Sequence, residues 1–241
     1  MSTTPTITTP TITTPTITTP TITTPAVTTP AVSTPAVSTP TEVPPAAPVR
    51  TAAELKKALL ALSDLLSGFS VEADGGADGP QVVLSSKDSR CAKLVAYSNA
   101  DNPPGSKAAA GLSYSGGSEG PFIDESLDAM GSAAAVRALQ TSFRNAVVSC
   151  RSMTLKIPGQ GSSPISVRQV SAPQAGTDPV AVRFTATSGP LQGLEVTMIT
   201  TGINDVALSL TIVAGTPDDI DGATETAVDK AKATLKPEPG A

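Results

Sequence analysis

The second half of the chain alternates apolar and polar residues with a period of two. Val180, Val182, Phe184 and Ala186 are interleaved with Ala181, Arg183, Thr185 and Thr187. Leu194, Val196 and Met198 alternate with polar neighbours, as do Val206, Leu208, Leu210 and Ile212. Successive side chains of a strand point to opposite faces, so this pattern predicts antiparallel strands with one covered face. Gly202-Ile203-Asn204-Asp205 stands where a hairpin turn is needed. Leu155–Ile157, ended by Pro158-Gly159, and Ile165–Val170 are shorter strands. Gly159-Gln160-Gly161-Ser162-Ser163-Pro164 reads as a flexible connection between them, since it lacks the final glycine and following helix of a dinucleotide loop.

Elsewhere the period lengthens to that of a helix. Thr51-Ala52-Ala53-Glu54 is a capping box. It opens an amphipathic run that places Leu55, Leu59, Leu62 and Leu66 on one stripe and Lys56 and Lys57 off it, stopped by Gly68. Asp74–Pro80 is rich in turn residues, and Gln81–Leu84 reads as a short strand. Ser89–Ser98 reads as a helix carrying Cys91, Leu94 and Val95, and Asn102–Gly105 as a loop. Ala108–Ser115 and Phe122–Met130 read as strands joined by Gly116–Gly120. Ser132 caps a helix through Cys150 with Val136, Leu139, Phe143 and Val147 on one stripe. Asp218 and Asp219 open a last helix whose inner stripe is Ile220, Ala223, Ala227, Ala231 and Leu235, ended by Pro237. Helices at the start, middle and end of a run of antiparallel strands predict an α+β fold: an antiparallel sheet packed with helices.

Residues 1–50 follow a different rule. TITTP repeats from Thr6 to Pro25 and decays through AVTTP and AVSTP, with proline at every fifth position from Pro5 to Pro40. Proline fixes its own φ, supplies no N–H and pushes the preceding residue out of the helical region. The segment therefore reads as an extended, disordered, low-complexity Thr/Pro stalk, reaching at most about 140 Å as polyproline II. Residues 51–241 make one domain large enough to bury a core. The stalk's threonines are candidate O-glycosylation acceptors in an exported protein; unmodified spacer is the alternative.

Composition narrows the chemistry. The net charge of −5 falls entirely on the domain, because Glu42 and Arg50 cancel within the stalk. An acidic surface argues against nucleic acid and anionic membranes. Aromatic residues are scarce, which disfavours base- and sugar-stacking platforms. The chain has no histidine, which removes the commonest general base and metal ligand and every Ser-His-Asp scheme. No apolar run is long enough for a transmembrane helix. No export signal follows Met1, so an exported protein would take its signal from upstream of it. Cys91 and Cys150 read best as one structural disulfide; buried thiols, a metal pair and a catalytic thiol are the alternatives.

Two motifs need weighing. Gly116–Gly120 fits G-x-S-x-G, the nucleophile elbow, but Pro121 follows where a helix is required and no His base exists. A hydrolase using Ser118 is thus a weak alternative to a glycine-rich turn. Asp124, Glu125 and Asp128 form an acidic cluster. On a strand, Asp124 and Asp128 share a face with Phe122 while Glu125 points away. That cluster is a candidate site for a cation or a basic partner, against the plainer reading of a solvated edge. Asp219-Ile220-Asp221-Gly222 fails the EF-hand register and fits helix capping instead.

The order of elements carries a resemblance. A leading amphipathic helix, Gly68-Phe69-Ser70-Val71, the Cys-bearing helix around Arg90–Val95, Ser126–Met130, and the long helix ending Val147-Val148-Ser149-Cys150 precede strands and a last helix. Residues 51–236 in this layout resemble the extracytoplasmic sensor domains and lipoproteins of actinobacteria related to the external domain of the mycobacterial kinase PknH. The resemblance implies an α+β fold, disulfide cross-linking, export to the cell envelope and often a lipid anchor. The PknH-type domain carries two disulfides where this chain can form one, and the chain has no lipobox cysteine. No catalytic residue or cofactor is implied. The expected function is a non-catalytic, sensor-like or ligand-binding envelope domain displayed on a stalk, with an unknown envelope ligand or protein as partner. A structural or adhesive envelope protein is the alternative. The candidate lining of a cleft between helices and sheet is Val182, Phe184, Val196 and Met198, for each of which core packing is the competing role.

Overall fold

Nine strands form one antiparallel sheet in the order β1-β3-β4-β9-β8-β7-β6-β5-β2. They are β1 (Ser70–Val71), β2 (Val83–Ser85), β3 (Ala108–Ser115), β4 (Phe122–Ala129), β5 (Ser152–Ile157), β6 (Gly161–Val170), β7 (Thr177–Ala186), β8 (Glu195–Ile203) and β9 (Val206–Val213). The helices are α1 (Ala52–Ala58), α2 (Ala92–Ser98), α3 (Ala133–Ser149) and α4 (Pro217–Thr234). This computed structural model describes residues 50–72 and 82–236. Residues 1–49 of the stalk, the Asp74–Pro80 turns, Gln81 and Pro237 lie outside the described residues. The fold class is the expected α+β.

The alternating pattern sorts the sheet into two faces. One buries Tyr114, Ile123, Leu127, Ile199, Leu208, Leu210 and Ile212 against α1 and α4. The other buries Ile165, Val167, Val180, Val182 and Phe184 against α2 and α3 through Leu94, Phe143 and Val147. The predicted stripes of the two long helices are buried throughout. Asn204 takes a left-handed conformation in the β8–β9 hairpin, which asparagine tolerates better than most residues. Gly202 lets β8 approach α3 closely: a Cβ there would stand 2.9 Å from Val136 Cγ1.

Cys91 and Cys150 are disulfide-bonded and both buried. The bond ties the 3₁₀ turn Ser89–Cys91, which leads into α2, to the C-terminal end of α3. Asn99, just past α2, holds the edge strand β2 from that side. Its Oδ1 accepts from Leu84 N–H at 2.9 Å and its Nδ2 donates to Leu84 O at 2.7 Å.

Three expectations are corrected. The first helix ends at Ala58, with Leu59 already extended, and the chain continues through a 3₁₀ turn at Leu62–Asp64. Leu55 and Leu59 are buried as predicted, whereas Leu66 is 75% exposed. The cause is tertiary. The Leu60 N–H donates to Glu125 Oε2 at 2.8 Å, and the Leu60 carbonyl accepts from the Tyr114 hydroxyl at 2.6 Å, so its backbone groups are satisfied by the sheet rather than by another helical turn. Second, Gly161–Pro164 belongs to β6 rather than to a loop. Pro164 pairs with Thr154 on β5 and lies beyond the last β6–β7 pair, Ile165 with Ala186, where no ladder donor is needed. Third, the acidic cluster is not a solvated edge as a whole: β4 is an interior strand, and Glu125 and Asp128 are buried, while Asp124 is exposed.

The ends of the domain are pinned. Arg50 is buried, its Nε donates to Asp205 Oδ1 at 2.8 Å, and its Nη2 donates to Lys236 O at 2.8 Å. Thr216 caps α4 in a capping box with Asp219, whose Oδ2 accepts from the Thr216 N–H at 2.8 Å.

Candidate functional site: a cleft on the concave face of the sheet

The sheet curls strongly. Val82, next to edge strand β2, and Asp124 of β4 line the same hollow, although β2 and β4 stand six places apart in the strand order. This hollow has a volume of about 260 Å³ and is lined mainly by Leu84, Leu155, Ile157, Phe184, Leu194, Val196 and Met198. A second hollow of about 310 Å³ adjoins it and shares Ser98, Asp124, Met198 and Thr211. It runs under α2 and α3, where Tyr97 and Phe143 meet edge to face with centroids 5.9 Å apart. Together they form one cleft, apolar at the β2–β5 end and increasingly hydroxylated toward Ser126, Thr200 and Ser209.

Strand register explains this gradient. Ser113, Asp124, Thr211, Met198 and Val182 are successive cross-strand partners on β3, β4, β9, β8 and β7. They share the face turned toward α2 and α3, and polar residues give way to apolar ones along the row. The adjacent row runs Phe122, Val213, Val196 and Phe184. Ser113 Oγ donates to Asp124 Oδ1 at 2.6 Å. At the seam of the two hollows the Ser98 Oγ is buried and has no partner among the described residues.

The candidate residues separate. Phe184, Val196, Met198 and Asp124 all line the cleft. Val182 is fully buried in the packed layer behind it. Asp128 lies on the same face but away from the cleft, buried, accepting from Ser106 Oγ at 2.8 Å. Burial pushes its carboxyl above the ordinary range. Of the two aspartates, only Asp124 lines the cleft. Among the described residues no group of three or more potential metal-ligating side chains is found. Tyr97, Ser98 and Thr211 were not singled out from the sequence; the hydroxyls at inward positions of β4 and β9 were the available signal.

Glu125 faces the opposite side. It is 2% exposed, and its Oε1 has no partner among the described residues. Burial raises its pKa to about 7, against the opposing pull of the Leu60 N–H, Lys230 and the Tyr114 hydroxyl. Tyr114 is itself pushed up by burial and by Glu125. Lys230 is ion-paired with Asp64 beside them. Ser118 lies exposed in the turn between β3 and β4, so the G-x-S-x-G segment stands between two strands and lacks the helix an elbow requires.

Among solved structures, the extracellular domain of PknH from Mycobacterium tuberculosis matches with a TM-score of 0.59 at 16% sequence identity, covering 77% of this chain and 98% of that one. The two share a fold. The resemblance read from the order of elements thus holds at the level of architecture. An uncharacterized protein from Mycobacterium smegmatis aligns with a TM-score of 0.38 at 15% identity over 79% of this chain and 96% of that one, too low a score to carry an argument. No protein-family model and no curated protein matches the chain.

Proposed function

We propose that residues 51–241 form a non-catalytic, sensor-like domain outside the cytoplasm that recognises a ligand non-covalently in the cleft. The observation that carries this reading is the cleft itself, a concave apolar surface with a few converging polar groups, the usual composition of a small-molecule site. Two further facts support the location. The fold is shared with a domain described as extracellular, and the only two cysteines form a buried disulfide, a bond that persists in oxidising compartments. The Thr/Pro stalk would hold the cleft away from an anchor.

Location is tested by the intact mass of protein isolated from the cells that make it, before and after reduction. A rise of about 2 Da on reduction, the two hydrogens of one disulfide, supports export. Two free thiols in the native protein would refute it. Recognition is tested by thermal unfolding with a small-molecule extract of the cell envelope: a raised midpoint supports it, and an unchanged one argues against it.

A further inference from the structure

The charges around the cleft narrow the ligand, given that the cleft is the binding site. Asp124 and Asp101 line it, and no lysine or arginine does so among the described residues. Asp124 is exposed and accepts only a neutral hydroxyl, from Ser113; none of the ion pairs among the described residues includes it. Beside it, Ser126, Ser209 and Thr211 add hydroxyl oxygens that can accept hydrogen bonds. The apolar hollow beginning at Met198 and Val196 leads directly from this polar patch. An anionic head group would meet uncompensated carboxylates; an ammonium would meet a carboxylate and several acceptors, matching its three donors.

We propose that the cleft takes a cationic amphiphile, with an amine head at Asp124 and an aliphatic segment along Met198, Val196 and Phe184. The aliphatic part supplies burial, which is indifferent to charge. The carboxylate supplies selection among head groups.

Three probes with one ten-carbon chain test this: decylamine, decyl maltoside and decanoate, each titrated at pH 7 below its micelle concentration. The chain has four methionines, so a spectrum of protein labelled with ¹³C-methyl methionine is sparse. Met198 reports on the cleft, and Met153, buried on β5, serves as control. Decylamine is expected to move the Met198 resonance and to bind up to about fivefold more tightly than either other probe, the order of one solvent-exposed ion pair. Asp124→Asn should bring the three affinities within about twofold while leaving the Met198 response in place, since the chain contacts are retained. Equal affinities in the wild type, or selectivity that survives Asp124→Asn, would overturn the head-group assignment and leave the cleft reading intact. A Met198 resonance unmoved by all three probes would overturn both.

Discussion

Replacing Glu125 with glutamine should change the stability of the domain in a pH-dependent way. The carboxyl is buried beneath Leu60 and Tyr114, and its pKa is about 7 in the folded protein against 4.5 for the free group. A raised pKa means that the folded state prefers the protonated form. The stabilisation from that preference is complete below pH 4.5 and is lost as pH rises through 7. At about 1.4 kcal/mol per tenfold change in proton affinity, the loss amounts to about 3 kcal/mol by pH 8. Glutamine cannot ionise, and its carbonyl can replace Glu125 Oε2 as acceptor for Leu60. Its amide would face the position of Oε1, which has no partner, at a cost of about 1 kcal/mol. Glu125→Gln should therefore be less stable than wild type by about 1 kcal/mol at pH 4.5 and more stable by about 2 kcal/mol at pH 8. Urea unfolding followed by far-ultraviolet circular dichroism at both pH values gives the difference directly. A stability difference that does not change between pH 4.5 and pH 8 would refute a buried, proton-holding Glu125.

Other substitutions probe the rest of the framework. Cys91→Ser with Cys150→Ser removes a cross-link between residues 59 apart; by chain entropy this costs about 4 kcal/mol, read as a fall in the urea midpoint. Gly176 has a φ of +78°, and a Cβ there would run into Thr201 Oγ1, which donates to Ala175 O. Gly176→Ala should thus cost more than about 2 kcal/mol in the same assay, combining backbone strain with a steric clash. Leu55→Ala should cost about 2–5 kcal/mol and Leu66→Ala less than about 0.5 kcal/mol, because only the first is buried. Equal losses at the two positions would mean that α1 continues past Ala58.

What was legible in the sequence follows from how local each cause is. Strands β7 and β9 and helices α3 and α4 declare themselves because one face of each is apolar along most of its length, and capping and turn residues stand at their ends. The end of α1 could not be read. Leu62 and Leu66 continue its helical period, but Leu60 is claimed by Glu125 and Tyr114 from strands more than 50 positions away in the sequence. The same non-local effect hides Asp128, whose charge suggested solvent while its register places it beneath Ser106.

The cleft lies between these cases. Alternation put Val196 and Met198 on a strand, the Gly116–Gly120 turn put Asp124 on another, and strand register brings them to one face. The curl that carries Val82 around to the same hollow depends on nine strands acting together and has no signature in any one of them. Val182 and Phe184 belong to one alternating run, yet only Phe184 reaches the cleft; helix α3 overlies Val182. Sequence periodicity selects a face, and tertiary packing selects which residues of that face remain accessible.

Recognition in the cleft is tested most directly by comparing wild type with Val196→Trp, which fills the apolar hollow. Thermal unfolding of both would be followed with and without the envelope extract, after confirming that the two midpoints agree within a few degrees in its absence. A ligand present at 100 times its dissociation constant stabilises by about 2.7 kcal/mol. The account predicts a midpoint raised by several degrees in wild type and unchanged in Val196→Trp. An equal rise in both proteins, or none in the wild type, would contradict it.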